Sequence, residues 1–117
     1  MTNWLVAFLM TLAIEMPLAG VLLRAHEPSR ARLVGKLFFA NLATHPLVWL
    51  AFYNLPLPWA GLVAILETFA WLTEAAFYFL VLPGLKPAKA VLVALAANAT
   101  SFGLGLLYYR LADKLLG

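Results

Sequence analysis

Four apolar runs constrain this chain more than anything else in it. They cover roughly residues 4–23, 33–53, 59–82 and 88–109. A helix crossing the hydrocarbon core of a bilayer needs about 20 largely apolar residues, and each run meets that length. Lipid offers the backbone no hydrogen-bond partners, so runs of this kind cross as helices, which satisfy their own N–H and C=O groups. The connections between runs are short, which makes consecutive helices antiparallel neighbours. The expected fold is an all-α integral membrane protein: four antiparallel transmembrane helices in an up-down bundle, forming one transmembrane domain over residues 1–117.

Composition agrees with that expectation. Of 117 residues, 65% are hydrophobic and 11% are charged, whereas a soluble domain carries about 25% charged residues. A soluble chain this short could not hide so much apolar surface in its own core. The absence of cysteine removes disulfides and thiolate metal sites from consideration. The first run, Trp4–Leu23, lacks a basic leader, is longer than a secretory core and contains Glu15 and Pro17. It reads as a retained span. The sequon Asn98-Ala99-Thr100 falls inside the fourth run, which argues against glycosylation.

The breaks are chemically distinct. "RAHEPSRAR" is charged, "NLPLPW" is proline-rich and uncharged, and "PGLKPAK" is a basic turn. Trp4, Trp49, Tyr53, Trp59, Tyr108 and Tyr109 lie near run ends, where aromatic rings favour the bilayer interface. Arg24, Arg30, Arg32, Lys36, Lys86 and Lys89 flank the first and third connections, against Arg110 and Lys114 on the other side. The net charge of +3 therefore reads as a membrane-orientation signal rather than a nucleic-acid surface. Six basic residues against two place those connections in the cytoplasm of a cell (inner) membrane, with both termini outside.

Polar residues at membrane depth carry the functional signal. Glu15, Glu67 and Glu74 lie inside the runs, with no Lys or Arg at matching depth. Each central carboxylate costs about 2.5–3.5 kcal/mol to insert, so all three are expected to hold a proton, pair with a cation or face water. Glu67 and Glu74 are two helical turns apart, and Asn41 and His45 are one turn apart. Asn98 and Ser101 share a face with Ala94 and Gly105, a stripe small enough to let a neighbouring backbone approach. Counting about 1.5 Å per residue from the cytoplasmic ends puts Glu15, Asn41 and Glu74 in one layer and His45, Glu67, Asn98 and Ser101 in a deeper one. Pro46 deprives the Leu42 carbonyl of its helical partner, which Thr44 or a water is expected to replace.

Three functions fit this pattern. In the first, Glu15, Asn41, His45, Glu67, Glu74, Asn98 and Ser101 bind or conduct a proton or cation in a transport-type role, completed by a homo-oligomer or a partner membrane protein. In the second, the chain is an accessory or assembly subunit of a larger membrane complex, its polar residues facing another protein. In the third, Glu67, His45 and Asn98 form a hydrolytic set, or His45, Glu67 and Glu74 hold a divalent metal. No HExxH, GxSxG or ExxH motif supports the third, and no nucleotide-binding loop supports ATP-driven pumping. The transport-type reading ranks first, with a bound cation the expected ligand and the lipid bilayer the expected surroundings.

Overall fold

A computed structural model of the chain describes residues 2–116, apart from the side chains of residues 2–4, 52, 53 and 116. It is all-helical among those residues. Helix α1 spans Thr2–Leu23, α2 Arg30–Asn54, α3 Trp59–Val81 and α4 Pro87–Leu116, with a 3₁₀ turn at Arg24–His26. All four α-helices are long and apolar enough to cross a membrane. The exterior supports a membrane protein: Leu50, Leu80 and Leu92 are 63%, 78% and 63% exposed. Large apolar side chains so fully turned outward, on every helix, suit lipid rather than water.

The helices form a ring, in which α1 and α3 each touch both α2 and α4. Local chemistry sets their ends. Ser29 caps α2 by accepting from the Arg32 backbone N–H at 3.3 Å, so the helix begins at Arg30, three residues before the apolar run. Pro87 opens α4, where its missing N–H costs nothing. The turn before it uses Gly84 at φ +72°, a left-handed conformation that favours glycine. Helix α4 continues past Tyr109 to Leu116 because "RLADKLL" is rich in helix formers; an apolar count stops where charge begins, although the helix need not. Pro17 and Pro46 lie within α1 and α2 without ending either helix.

One half of the bundle is sealed. Leu23, Leu37, Ala75, Tyr78, Leu82 and Ala94 are buried together next to the first and third connections. Alanines on every helix, including Ala19, Ala40, Ala75 and Ala90, let the backbones approach there. Polar ties close that end. Lys36 donates to Glu27 at 2.6 Å and to the carbonyl of Val81, the last residue of α3, at 2.7 Å. Lys89 and His26 lie 3.1 Å apart, and His26 reaches the Pro83 carbonyl at 3.2 Å. A tautomer that accepts from Lys89 at Nε2 carries its hydrogen on Nδ1, the nitrogen that faces the Pro83 carbonyl. Lys36 and Lys89 thus bind the connections to each other, beyond any orientation signal. Lys36 also holds the Glu27 carboxyl below its ordinary value through their hydrogen bond.

Candidate functional site

The other half of the bundle encloses a cavity of about 300 Å³. All seven residues singled out by their polarity (Glu15, Asn41, His45, Glu67, Glu74, Asn98 and Ser101) line it. Its floor is buried, with Glu15 2%, Asn41 1%, Thr44 3%, Glu74 2% and Asn98 7% exposed. Exposure rises along the wall to Trp59 and Tyr109, at 57% and 48%. Val63, Phe102 and Leu106 add apolar surface between. None of the lining residues comes from positions 16–40 or 75–97, so the sealed half closes the cavity from below.

Glu74 sits between two donors from neighbouring helices. Asn98 Nδ2 donates to its Oε2 at 2.5 Å, and Thr44 Oγ lies 3.3 Å from its Oε1. Glu15 accepts from Ser101 Oγ at 2.6 Å through Oε1, while its buried Oε2 has no partner among the described residues. Glu67 lines the wall, half-buried, and no hydrogen bond joins it to another described residue. No Lys or Arg lines the cavity.

The hydroxyls give these pairs a shared property. Thr44 also reaches the Ala40 carbonyl at 3.2 Å, and Ser101 the Asn98 carbonyl at 3.1 Å. A hydroxyl has one hydrogen but can also accept. Donating to the glutamate, it satisfies a charged carboxylate. Turned towards its own helix carbonyl, it can accept from a protonated carboxyl. Both glutamate–hydroxyl pairs therefore stay bonded whether or not the carboxyl carries a proton, with no backbone movement.

Several expectations change in detail. Asn98 and Ser101 were expected one layer deeper than Glu74 and Glu15, yet they bond to them. Helical side chains lean towards their own N-terminus, so Glu74 reaches away from the 82–87 turn while Asn98 reaches towards it. Two opposed leans close a gap of about 6 Å, roughly one helical turn. Thr44 bonds to Ala40, Asn41 and Glu74 rather than to the Leu42 carbonyl. Gly105 offers no close helix contact, because a Cβ built there meets nothing within 4 Å; it faces the cavity. Trp49 also lines the cavity, with its ring centroid 6.4 Å from that of His45. Trp59, Tyr108 and Tyr109 are exposed, whereas the side chains of Trp4 and Tyr53 lie outside the described residues.

The remaining roles follow from the hydrogen bonds. Asn98 commits both amide hydrogens, to Glu74 and to the Ala94 carbonyl at 2.8 Å, leaving none to polarise a substrate carbonyl. Asn41 donates to its own Leu37 carbonyl at 3.0 Å. His45 Nε2 lies 3.5 Å from Thr11 Oγ, and its ring is 5.2 Å from Phe8. Among the described residues no three His, Asp or Glu side chains gather as a metal-holding group; His45, Glu67 and Glu74 line the same cavity. Thr11 and Tyr78 were not anticipated. Tyr78 is fully buried at the top of the seal, one turn from Glu74, and its hydroxyl has no partner among the described residues. That spacing along α3 was its only signal in the sequence.

The chain matches no family model, no curated protein and no solved structure.

Proposed function

We propose that the protein binds a proton or a cation at the floor of this cavity, as the binding step of transport across a membrane. In this reading the four helices lie antiparallel in an up-down bundle. The basic connections face the cytoplasm, and the cavity opens on the opposite side, where both termini lie.

Glu15 carries the proposal. Its carboxyl is buried, one oxygen has no partner among the described residues, and it faces a cavity lined by two further glutamates and by no Lys or Arg. Helix-to-helix glue does not account for this, because an orphaned buried oxygen forfeits about 1–3 kcal/mol. A proton or cation would supply what the protein leaves out. The Ser101 and Thr44 hydroxyls support the same reading, since they accommodate both carboxyl states. The seal beneath implies that release to the other side needs a second conformation, with a second copy or a partner membrane protein completing the path.

Proton exchange tests this. Purified protein in weakly buffered detergent would be titrated with acid, NaCl, KCl and an organic ammonium salt while proton uptake or release is recorded. Proteoliposomes carrying an internal pH dye would follow flux. The expected result is saturable, stoichiometric exchange that disappears in Glu15→Gln/Glu74→Gln while helical circular dichroism persists. Wild-type protein that neither exchanges protons nor binds any of these cations would overturn the proposal.

A further inference from the structure

The cavity, at about 300 Å³, is larger than a bare inorganic ion fills. Hard cations take six to eight oxygens at about 2.3–2.6 Å, or near-ideal octahedra, and among the described residues no three His, Asp or Glu side chains gather to anchor such a set. About 300 Å³ corresponds to the liquid volume of roughly ten waters at about 30 Å³ each. It also falls at the lower end of small-molecule sites, about 300–1,000 Å³. Its polarity is uneven, with Glu67 and His45 half-buried and the other glutamates fully buried. The buried acceptors lie at the floor, while Val63, Phe102, Leu106, Trp49, Trp59 and Tyr109 form an apolar and aromatic wall above them.

We infer that the ligand is a primary ammonium bearing a compact apolar tail, seated nitrogen-down on the buried carboxyl of Glu15 with its tail along the aromatic wall. The inference rests on the cation-binding reading above and names its substrate class. A primary ammonium has three donors and no acceptor. The unpartnered Oε2 of Glu15 takes one, and water within the cavity can accept the others. Trp49, Trp59 and Tyr109 line the cavity, where aromatic rings can attract a cation as it enters and supply apolar surface to the tail once it is seated. Gly105 supplies the room, since no atom lies within 4 Å of where its side chain would be. The titratable groups facing the site are Glu15 from α1, His45 from α2, Glu67 and Glu74 from α3 and Tyr109 from α4. Protons on the three glutamates compete with the ammonium, so binding weakens as pH falls.

Benzylammonium is the probe, with benzyl alcohol as its neutral counterpart and NaCl as the inorganic control, and binding is read by calorimetry and tryptophan fluorescence. The inference expects saturable binding of one benzylammonium per chain, at least about tenfold tighter than benzyl alcohol, a margin worth about 1.4 kcal/mol. Gly105→Leu fills the cavity without removing a charge or a helix former, and should abolish binding in a folded protein. Trp59→Ala, at an exposed position, should weaken it by about two- to thirtyfold, the range of one cation–π contact. An aminolipid headgroup presents the same ammonium. Competition in phosphatidylethanolamine but not phosphatidylcholine nanodiscs would identify that source, and its absence a free amine; either supports the site. Proton or Na⁺ exchange without benzylammonium binding would overturn this inference and leave the proposed function standing. Equal binding of benzyl alcohol, or full binding by Gly105→Leu, would also overturn it. Absence of any exchange would remove both.

Discussion

The bond between Asn98 and Glu74 can be weighed, and its strength reports the charge of the carboxyl. Asn98→Leu removes the donor 2.5 Å from Glu74 Oε2 and fills its place with hydrocarbon, keeping water from substituting. A buried acceptor stranded in this way costs about 1–3 kcal/mol. The same change made in a Glu74→Met background strands nothing. The double-mutant cycle therefore isolates the pair, because packing costs common to both legs cancel. Neutral interhelical bonds in membranes average about 0.6 kcal/mol and reach about 1.7, whereas bonds to a charged group are worth about 1.5–3. A coupling above about 2 kcal/mol means that Glu74 is ionised in the folded protein, and one near 0.6 means that it is protonated. Reversible unfolding in mixed micelles, followed by circular dichroism for all four variants, supplies the values. A coupling indistinguishable from zero would show that Asn98 and Glu74 do not meet, and the floor as described would be wrong.

Three further outcomes are expected. A reporter active only in the cytoplasm, fused after Gly117, should stay silent, because six of eight basic residues flank the first and third connections; a bright signal from inserted protein reverses the threading. Lys36→Met should destabilise the protein, since it unties Glu27 and the Val81 carbonyl together. The Glu27 carboxyl is held below its ordinary 4.5, so its part of that stability is present above about 4.5 and is lost as pH falls through the lower folded value. The gap between wild type and Lys36→Met in thermal unfolding should therefore narrow on acidification, and a gap that widened would contradict the tie. Tyr78→Phe should leave stability unchanged or raised, because the hydroxyl it removes has no partner among the described residues; a loss above about 1 kcal/mol would mean that the hydroxyl is bonded.

The helices were legible because length and hydropathy alone decide what can cross a bilayer, and both are written in the order of residues. The polar faces were legible for a similar reason: Glu67 and Glu74, or Asn98 and Ser101, fall on one side at helical spacing whatever the neighbours do. Partners across helices were not legible, since they depend on side-chain lean and rotation about the axis. Asn98 was placed a turn too deep for Glu74 because residue counting follows Cα positions and ignores the opposed leans of α3 and α4. Gly105 shows the same limit. A small residue on an inward face permits either close approach or open space, and only the spacing of the neighbouring helices chooses between them. The ties made by Lys36 and Lys89 were hidden because a basic residue beside a span satisfies the orientation rule whether or not it also bonds.

The two halves of the bundle resolve opposite demands with one set of helices. Towards the basic connections, Ala19, Ala40, Ala75 and Ala90 bring the backbones together, and Leu23, Leu37 and Tyr78 fill what remains. Lys36 and the His26–Lys89 pair then lock the ends. Towards the 54–59 connection, Gly105 leaves its place empty and the wall is built of aromatic rings, so the same ring of four helices encloses space. The carboxyls lie at the boundary between these regions, with Glu15 and Glu74 buried just above the seal. Burial there makes any charge strongly dependent on the groups immediately around it, because little solvent screens it. Access from above lets a ligand reach it. A carboxyl deeper in the seal could not exchange with anything, and one nearer Trp59 would be screened by water and discriminate weakly. On the proposed reading, the boundary between sealed and open helix packing is where a carboxyl is both buried and open to the cavity, which is what reversible binding of a proton or cation requires.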